Sequence, residues 1–161
     1  MEYAAVALAA YLIGAVPTGY LMGKALGNLD VRSYGSGRTG ATNVLRTLGL
    51  GPFILVFLID FAKGYLAVWL AGQLLGTPAA QVAAGLGALI GHNWPVYIGF
   101  VGGRGVATGI GGLSALAPQV GALVSIAVVL VMLTTRYVSL GSVVGCFVAI
   151  VLSMGAIAAL L

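Results

Sequence analysis

The sequence predicts an all-α fold, a polytopic transmembrane helical bundle of about six spans. Three observations carry that prediction. Of 161 residues, 61% are hydrophobic and only 6% are charged, with mean hydropathy +1.14, whereas soluble domains carry about 25% charged residues. The apolar residues also fall in runs close to the ~20 residues that a helix needs to cross a bilayer. Finally, glycine supplies 26 residues, well above its usual ~7%, as suits helices that approach closely in lipid.

Residues 3–23 make the first predicted span, with Pro17 and Gly19 as kink points. No basic stretch precedes it, so it reads as a retained helix and not a cleaved signal peptide. Residues 24–51 are the most polar part of the chain, a loop holding Lys24, Arg32, Arg38 and Arg46. Spans are predicted at 52–72 and 79–100, and a short glycine-rich one at 106–117 ends before Pro118. Two more follow, at about 119–134 and from about 139 to the end. The whole, 1–161, reads as a single integral-membrane domain. Cys146 is the sole cysteine, which excludes an intrachain disulfide and any cysteine-based metal site. No basic stretch of a nucleic-acid type is present.

Counting turns puts Lys24, Arg32, Arg38, Arg46, Arg104 and Arg136 on one side of the membrane. The opposite connections, near 73–78 and at Pro118, carry no cation. Cytoplasmic loops are the ones enriched in Lys and Arg, so the cation-bearing loops face the cytoplasm and the N-terminus lies outside.

Residues 35–43, "GSGRTGATN", contain G-x-G-x-x-G at Gly35, Gly37 and Gly40, with Asp60 downstream. A dinucleotide fingerprint needs a buried strand before the glycines and a parallel sheet around them. Here the preceding residues are "NLDVRSY", and Asp60 stands in an apolar helix. The match is a coincidence of spacing. The same glycines allow positive φ, so backbone N–H groups can curl into an anion nest. Ser36, Thr42 and Asn43 add side-chain donors, and Arg46 can grip a phosphate bidentately. The alternative is a merely soluble loop whose arginines set topology.

The second loop, "GFVGGRGVATG" at 99–109, echoes the first: "GRGVAT" beside "GRTGAT". Two glycine–arginine loops on one face predict two facing anion pockets, with Gly102, Gly103, Arg104, Gly105 and Thr108 in the second. Asp60 and Lys63 share a helix face. A charge at bilayer depth costs at least about 2.5–3.5 kcal/mol, so they form a structural pair or reach the active site. His92 and Asn93 lie beside Trp94 and Tyr97, residues that favour the membrane interface. Metal binding at His92 is disfavoured, since there is no second histidine and Cys146 is isolated. Arg136 and Ser139, in "TTRYVSLGS", can complete a pocket rim.

"GSGRTGATNVLR", "DFAKG" (60–64), "GHNWPVYIGFVGGRGVATG" (91–109) and "YVSLGS" (137–142) together resemble the bacterial membrane glycerol-3-phosphate acyltransferases that use acyl phosphate, the PlsY family. The resemblance implies transfer of an acyl group from acyl phosphate to the sn-1 hydroxyl of glycerol 3-phosphate, giving lysophosphatidate. It places Ser36 and Arg46 at catalytic positions. Gly35, Gly37, Gly40, Thr42, Asn43, Lys63, His92, Asn93, Gly102, Gly103, Arg104, Gly105, Thr108 and Ser139 fall at substrate-binding ones. It implies no cofactor or metal. The expected setting is the bacterial inner membrane, with the site open to the cytoplasm and the soluble enzyme that makes acyl phosphate as a partner. No H-x-x-x-x-D pattern of other glycerolipid acyltransferases follows His92, so a substrate phosphate is expected to take the hydroxyl proton.

Arg38 stands where the family usually has Asn, Arg104 where Lys is usual, and Val101 where Lys is common. Complete members are expected to have seven spans and a cytoplasmic closing segment, so this chain reads as truncated at its C-terminus. The rival reading is a small anion or phosphate-ester transporter, whose site would lie near the midplane between internal repeats.

Overall fold

The computed structural model describes residues 1–158, and every regular element among them is helical. The first apolar segment is broken into α1 (Glu2–Gly14) and α2 (Thr18–Gly27). The break falls at Pro17, as expected, because proline has no N–H to give and its ring crowds the preceding turn. After a 3₁₀ turn at Val31–Ser33 come α3 (Ala41–Leu48), α4 (Leu50–Leu75) and α5 (Pro78–Asn93). Thr77 caps α5, accepting the Ala80 N–H at 3.3 Å, and Pro78 takes the first turn, where no N–H is needed. α6 (Val106–Leu116), α7 (Pro118–Thr135) and α8 (Val138–Ala158) complete the chain.

α4 is the central helix and touches α1, α2, α3, α5 and α6. α1 lies along α5, α6 along α4, and α8 along α7. Small residues make these crossings possible. A Cβ on Gly14 would strike the Ala88 carbonyl, and one on Gly64 would strike that of Thr108. One buried cluster consists of Ala10, Ala67, Ala71, Ala80, Ala84 and Ala88. Leu8, Leu58, Leu66, Leu133 and Phe147 instead project outward. Small residues inside and large apolar ones outside is the distribution a lipid solvent favours, since lipid is as apolar as leucine.

Two boundaries differ from expectation. The predicted span 79–100 stops being helical at Asn93, because Pro95 disfavours helical backbone at the residue before it. The predicted loop 24–51 contains α3, an amphipathic turn that lies beside α4. α6 has 11 residues, about 16 Å of helix against a hydrocarbon core of about 30 Å. Three segments, Glu2–Gly27, Leu50–Leu75 and Pro118–Thr135, have the length and hydropathy to cross alone. α6 and the stretch Val138–Met154 are apolar but shorter.

Candidate active site

The first loop is built around Asn43, which is only 1% exposed at the start of α3. Its Nδ2 donates to the carbonyls of Val31 (2.7 Å), Tyr34 (3.1 Å) and Arg38 (2.8 Å), and its Oδ1 accepts the Ser36 N–H at 2.9 Å. Gly35 (φ 55°) and Gly37 (φ 69°) take the left-handed conformation that lets this loop curl. Gly40 does not; at φ −68° it caps α3 and packs on Gly103.

Arg32 clamps the loop from behind. Its guanidinium meets Asp30 through Nε and Nη2, the latter at 2.7 Å, and Nη1 donates to the Ile98 carbonyl at 2.6 Å. It also lies 5.1 Å over the Tyr20 ring. The Arg32 side-chain hydrogen bonds hold the Asp30 carboxyl below the usual carboxylate range, against the opposing effect of burial. This cation is structural.

The second loop returns on the end of α5. Gly102 N–H donates to the Asn93 carbonyl (3.2 Å) and Gly103 N–H to that of His92 (3.0 Å). Gly105, at φ 75°, opens α6. Thr39 N–H donates to the Gly102 carbonyl at 3.3 Å, so the two glycine loops are joined directly.

Between the loops and the α7–α8 corner lies a cavity of about 350 Å³. Its polar wall carries Arg38, Arg46, Arg104 and Arg136, with Ser36, Thr42 and Ser139. The opposite wall is apolar: Phe53, Phe57, Val106, Val128 and Met132. Asp60 and His92 reach the cavity too. Among the described residues none of the four arginines has a carboxylate partner. The carboxylate on the wall, Asp60, is matched by Lys63 at 2.9 Å. A second cleft of about 300 Å³ adjoins, lined by Arg38, Asn93, Trp94, Gly103 and Arg104. Among the described residues no three of His, Cys, Asp or Glu gather as a metal site would require.

The family model for glycerol-3-phosphate acyltransferase matches residues 4–161. The chain belongs to that family. It is 48% identical over 136 residues to a glycerol-3-phosphate acyltransferase of Prochlorococcus marinus (strain MIT 9215), covering 84% of this chain and 68% of that relative. It is 51% identical over 134 residues to one from Synechococcus sp. (strain CC9902), covering 83% and 67%. Its fold matches the crystal structure of PlsY, an integral membrane glycerol 3-phosphate acyltransferase, in the glycerol 3-phosphate form. There the TM-score is 0.89 at 35% identity, over 97% of this chain and 78% of that one. The lysophosphatidic acid form of PlsY gives a TM-score of 0.86 at 34% identity, with the same coverage.

In this acyltransferase chain Ser36, Gly40, Thr42, Asn43, Arg46, His92, Arg104, Gly105 and Ser139 line the main cavity. Asn93 and Gly103 line the adjoining cleft. Several of the candidate residues make structural contacts. The amide of Asn43 is spent on the loop and has no donor left for a ligand. Lys63 lies off the cavity, donating to the Val16 carbonyl at 3.0 Å where α1 breaks from α2. Thr108 is buried at the α4–α6 crossing, and Gly35, Gly37 and Gly102 shape the backbone behind the wall. Arg38 is a cavity residue that sequence reading noted as a one-sided loop cation and a departure from the family, without assigning it to the site. Its signal was a cation with no acidic neighbour in a glycine loop.

Proposed function

We propose that this cavity transfers an acyl group from acyl phosphate to the sn-1 hydroxyl of glycerol 3-phosphate, releasing phosphate and 1-acyl-glycerol 3-phosphate. The observation that carries the reading is the set of four arginines without carboxylate partners, facing an apolar wall across one cavity. A phosphate monoester carries about −1.5 to −2 charges at neutral pH. Two phosphate-bearing substrates therefore match this wall in charge, and the Phe53–Phe57 side offers an apolar surface for an acyl chain. Arg46 and Arg104 present planar forks suited to phosphate oxygens. A mixed anhydride is already activated, so alignment and charge stabilisation are the contributions required of the protein. Glycerol 3-phosphate and lysophosphatidic acid, present in the two PlsY forms, are the acceptor and product of this reaction.

The cavity faces the cytoplasm of a bacterial cell, with the N-terminus outside, because six of the seven cations stand on the cavity side. Acyl phosphate then arrives from the soluble enzyme that makes it. A transporter is disfavoured by the gathering of polar groups at one membrane face. The donor is tested by giving the purified protein acyl phosphate or acyl-CoA of one chain length with glycerol 3-phosphate. Product is expected with acyl phosphate alone; faster transfer from acyl-CoA would overturn the donor assignment.

A further inference from the structure

Arg136 differs from the other three cavity arginines in both its place and its backbone. Arg38, Arg46 and Arg104 come from the glycine loops and α3, whereas Arg136 stands at the corner between α7 and α8. It follows the last residue of α7, and its N–H donates to the Met132 carbonyl at 2.9 Å. Its φ is 61°, a left-handed conformation that helix ends usually give to glycine. Glycine would hold this turn without a Cβ to strain it. A cation near a helix C-terminus is favourable in itself, but any position in the last turn supplies that. The backbone thus gives no reason for an arginine at 136, so the reason lies in the side chain.

Arg136 lines the cavity and has no carboxylate partner among the described residues. Earlier in α7, Met132 and Val128 line the cavity as well. The three are spaced four residues apart, so they form one stripe over successive turns, about 12 Å long. The stripe is apolar for two turns and cationic at its end. α8 backs it closely: a Cβ on Gly141 would come 3.0 Å from Met132 Cγ, and one on Gly145 would press on Val128. Phe53 and Phe57, also four residues apart, line the cavity from α4. An apolar slot thus ends at a positive charge where the two walls meet.

We propose that Arg136 binds the phosphate of the acyl donor, whose chain lies along Met132 and Val128. This rests on the acyl-transfer reading of the cavity and assigns one of its arginines to one substrate. Of the two substrates only the donor joins a phosphate to a long apolar chain, so it alone matches the charge and the stripe together. Glycerol 3-phosphate has no apolar part to lay on α7 and is left to the loop arginines. The planar fork of an arginine can meet two phosphate oxygens at once. In an acyl phosphate the carbonyl stands between the phosphate and the chain, so fixing both ends fixes the carbon that is attacked.

The test uses the purified protein with acyl phosphate and glycerol 3-phosphate, comparing wild type with Arg136→Gln, Arg136→Lys and Arg136→Gly. Loss of a charge-assisted hydrogen bond should raise KM for acyl phosphate about 10- to 100-fold in the Gln and Gly variants. KM for glycerol 3-phosphate should stay within about threefold of wild type. Orthophosphate, as an inhibitor competing with acyl phosphate, should weaken by the same factor as the donor. Arg136→Lys keeps the charge without the fork, so its KM for acyl phosphate should fall between. The thermal midpoint of Arg136→Gly should equal or exceed that of wild type, because glycine takes positive φ freely. A lowered midpoint in that variant would mark a structural arginine and overturn the proposal. An unshifted KM for acyl phosphate, or a rise confined to glycerol 3-phosphate, overturns it as well. Wild type without any transfer would defeat the acyl-transfer reading itself; an active wild type with unimpaired variants would defeat only this inference.

Discussion

Arg46 projects from α3 into the cavity, exposed and without a carboxylate beside it. A charge-assisted hydrogen bond is worth about 1.5–3 kcal/mol, so Arg46→Ala should lower kcat/KM by about one to two orders of magnitude. Ser36→Ala should also slow turnover. The Ser36 N–H that meets Asn43 survives the change, so thermal unfolding should match wild type. Near-normal kinetics in both variants would remove the first loop from the reaction. Residue identities were readable in sequence where charge or glycine content spoke, as in the two loops. Their division of labour was not. Asn43 looked like a donor for phosphate, but burial at 1% exposure turned its amide inward to three carbonyls. Lys63 looked like a ligand for substrate, but the carbonyl freed near Pro17 lies within its reach. Both outcomes depend on which polar groups the fold leaves unpaired, which local sequence does not encode.

Helices were legible wherever apolar runs were long, and their breaks where proline stood, as at Pro17 and Pro118, whereas α4 runs on to Leu75, past the expected end at residue 72. The end of α5 was misplaced because Pro95 outweighed the apolar run that continues to Val101. α3 was overlooked because a helix of 8 residues gives little periodicity to read. The glycines mark the crossings more reliably than the hydrophobic pattern does. Gly64 of α4 meets the Thr108 carbonyl of α6, and Gly111 of α6 meets that of Phe61. An added methyl at either contact presses on backbone that cannot rotate away. Gly64→Ala should therefore destabilise the bundle by about 1–3 kcal/mol through overpacking. Thermal unfolding in detergent reads the change; an unaltered midpoint would mean that α4 and α6 stand further apart.

At the scale of the molecule, two loops distant in sequence converge through the Thr39–Gly102 hydrogen bond and share one cavity. The sequence predicted that convergence from the repeated glycine–arginine pattern, but not the apolar wall that α4, α6 and α7 supply opposite. Joined loops must also lie on one side of the membrane. Single cysteines placed within 30–46 and within 102–105, with Cys146 replaced, should both resist an impermeant thiol reagent in intact cells and react in inverted vesicles. Labelling of either loop from outside would reverse the orientation. The central claim is that one cavity binds two phosphate-bearing substrates and joins them. Its most direct measurement is made on the purified protein in detergent, supplied with acyl phosphate and glycerol 3-phosphate, following orthophosphate and acylated product together. Equal molar amounts of phosphate and 1-acyl-glycerol 3-phosphate are expected, with both formed about 10- to 100-fold more slowly in Arg46→Ala at low substrate. Binding of glycerol 3-phosphate without product, or phosphate release that does not depend on glycerol 3-phosphate, would contradict the account.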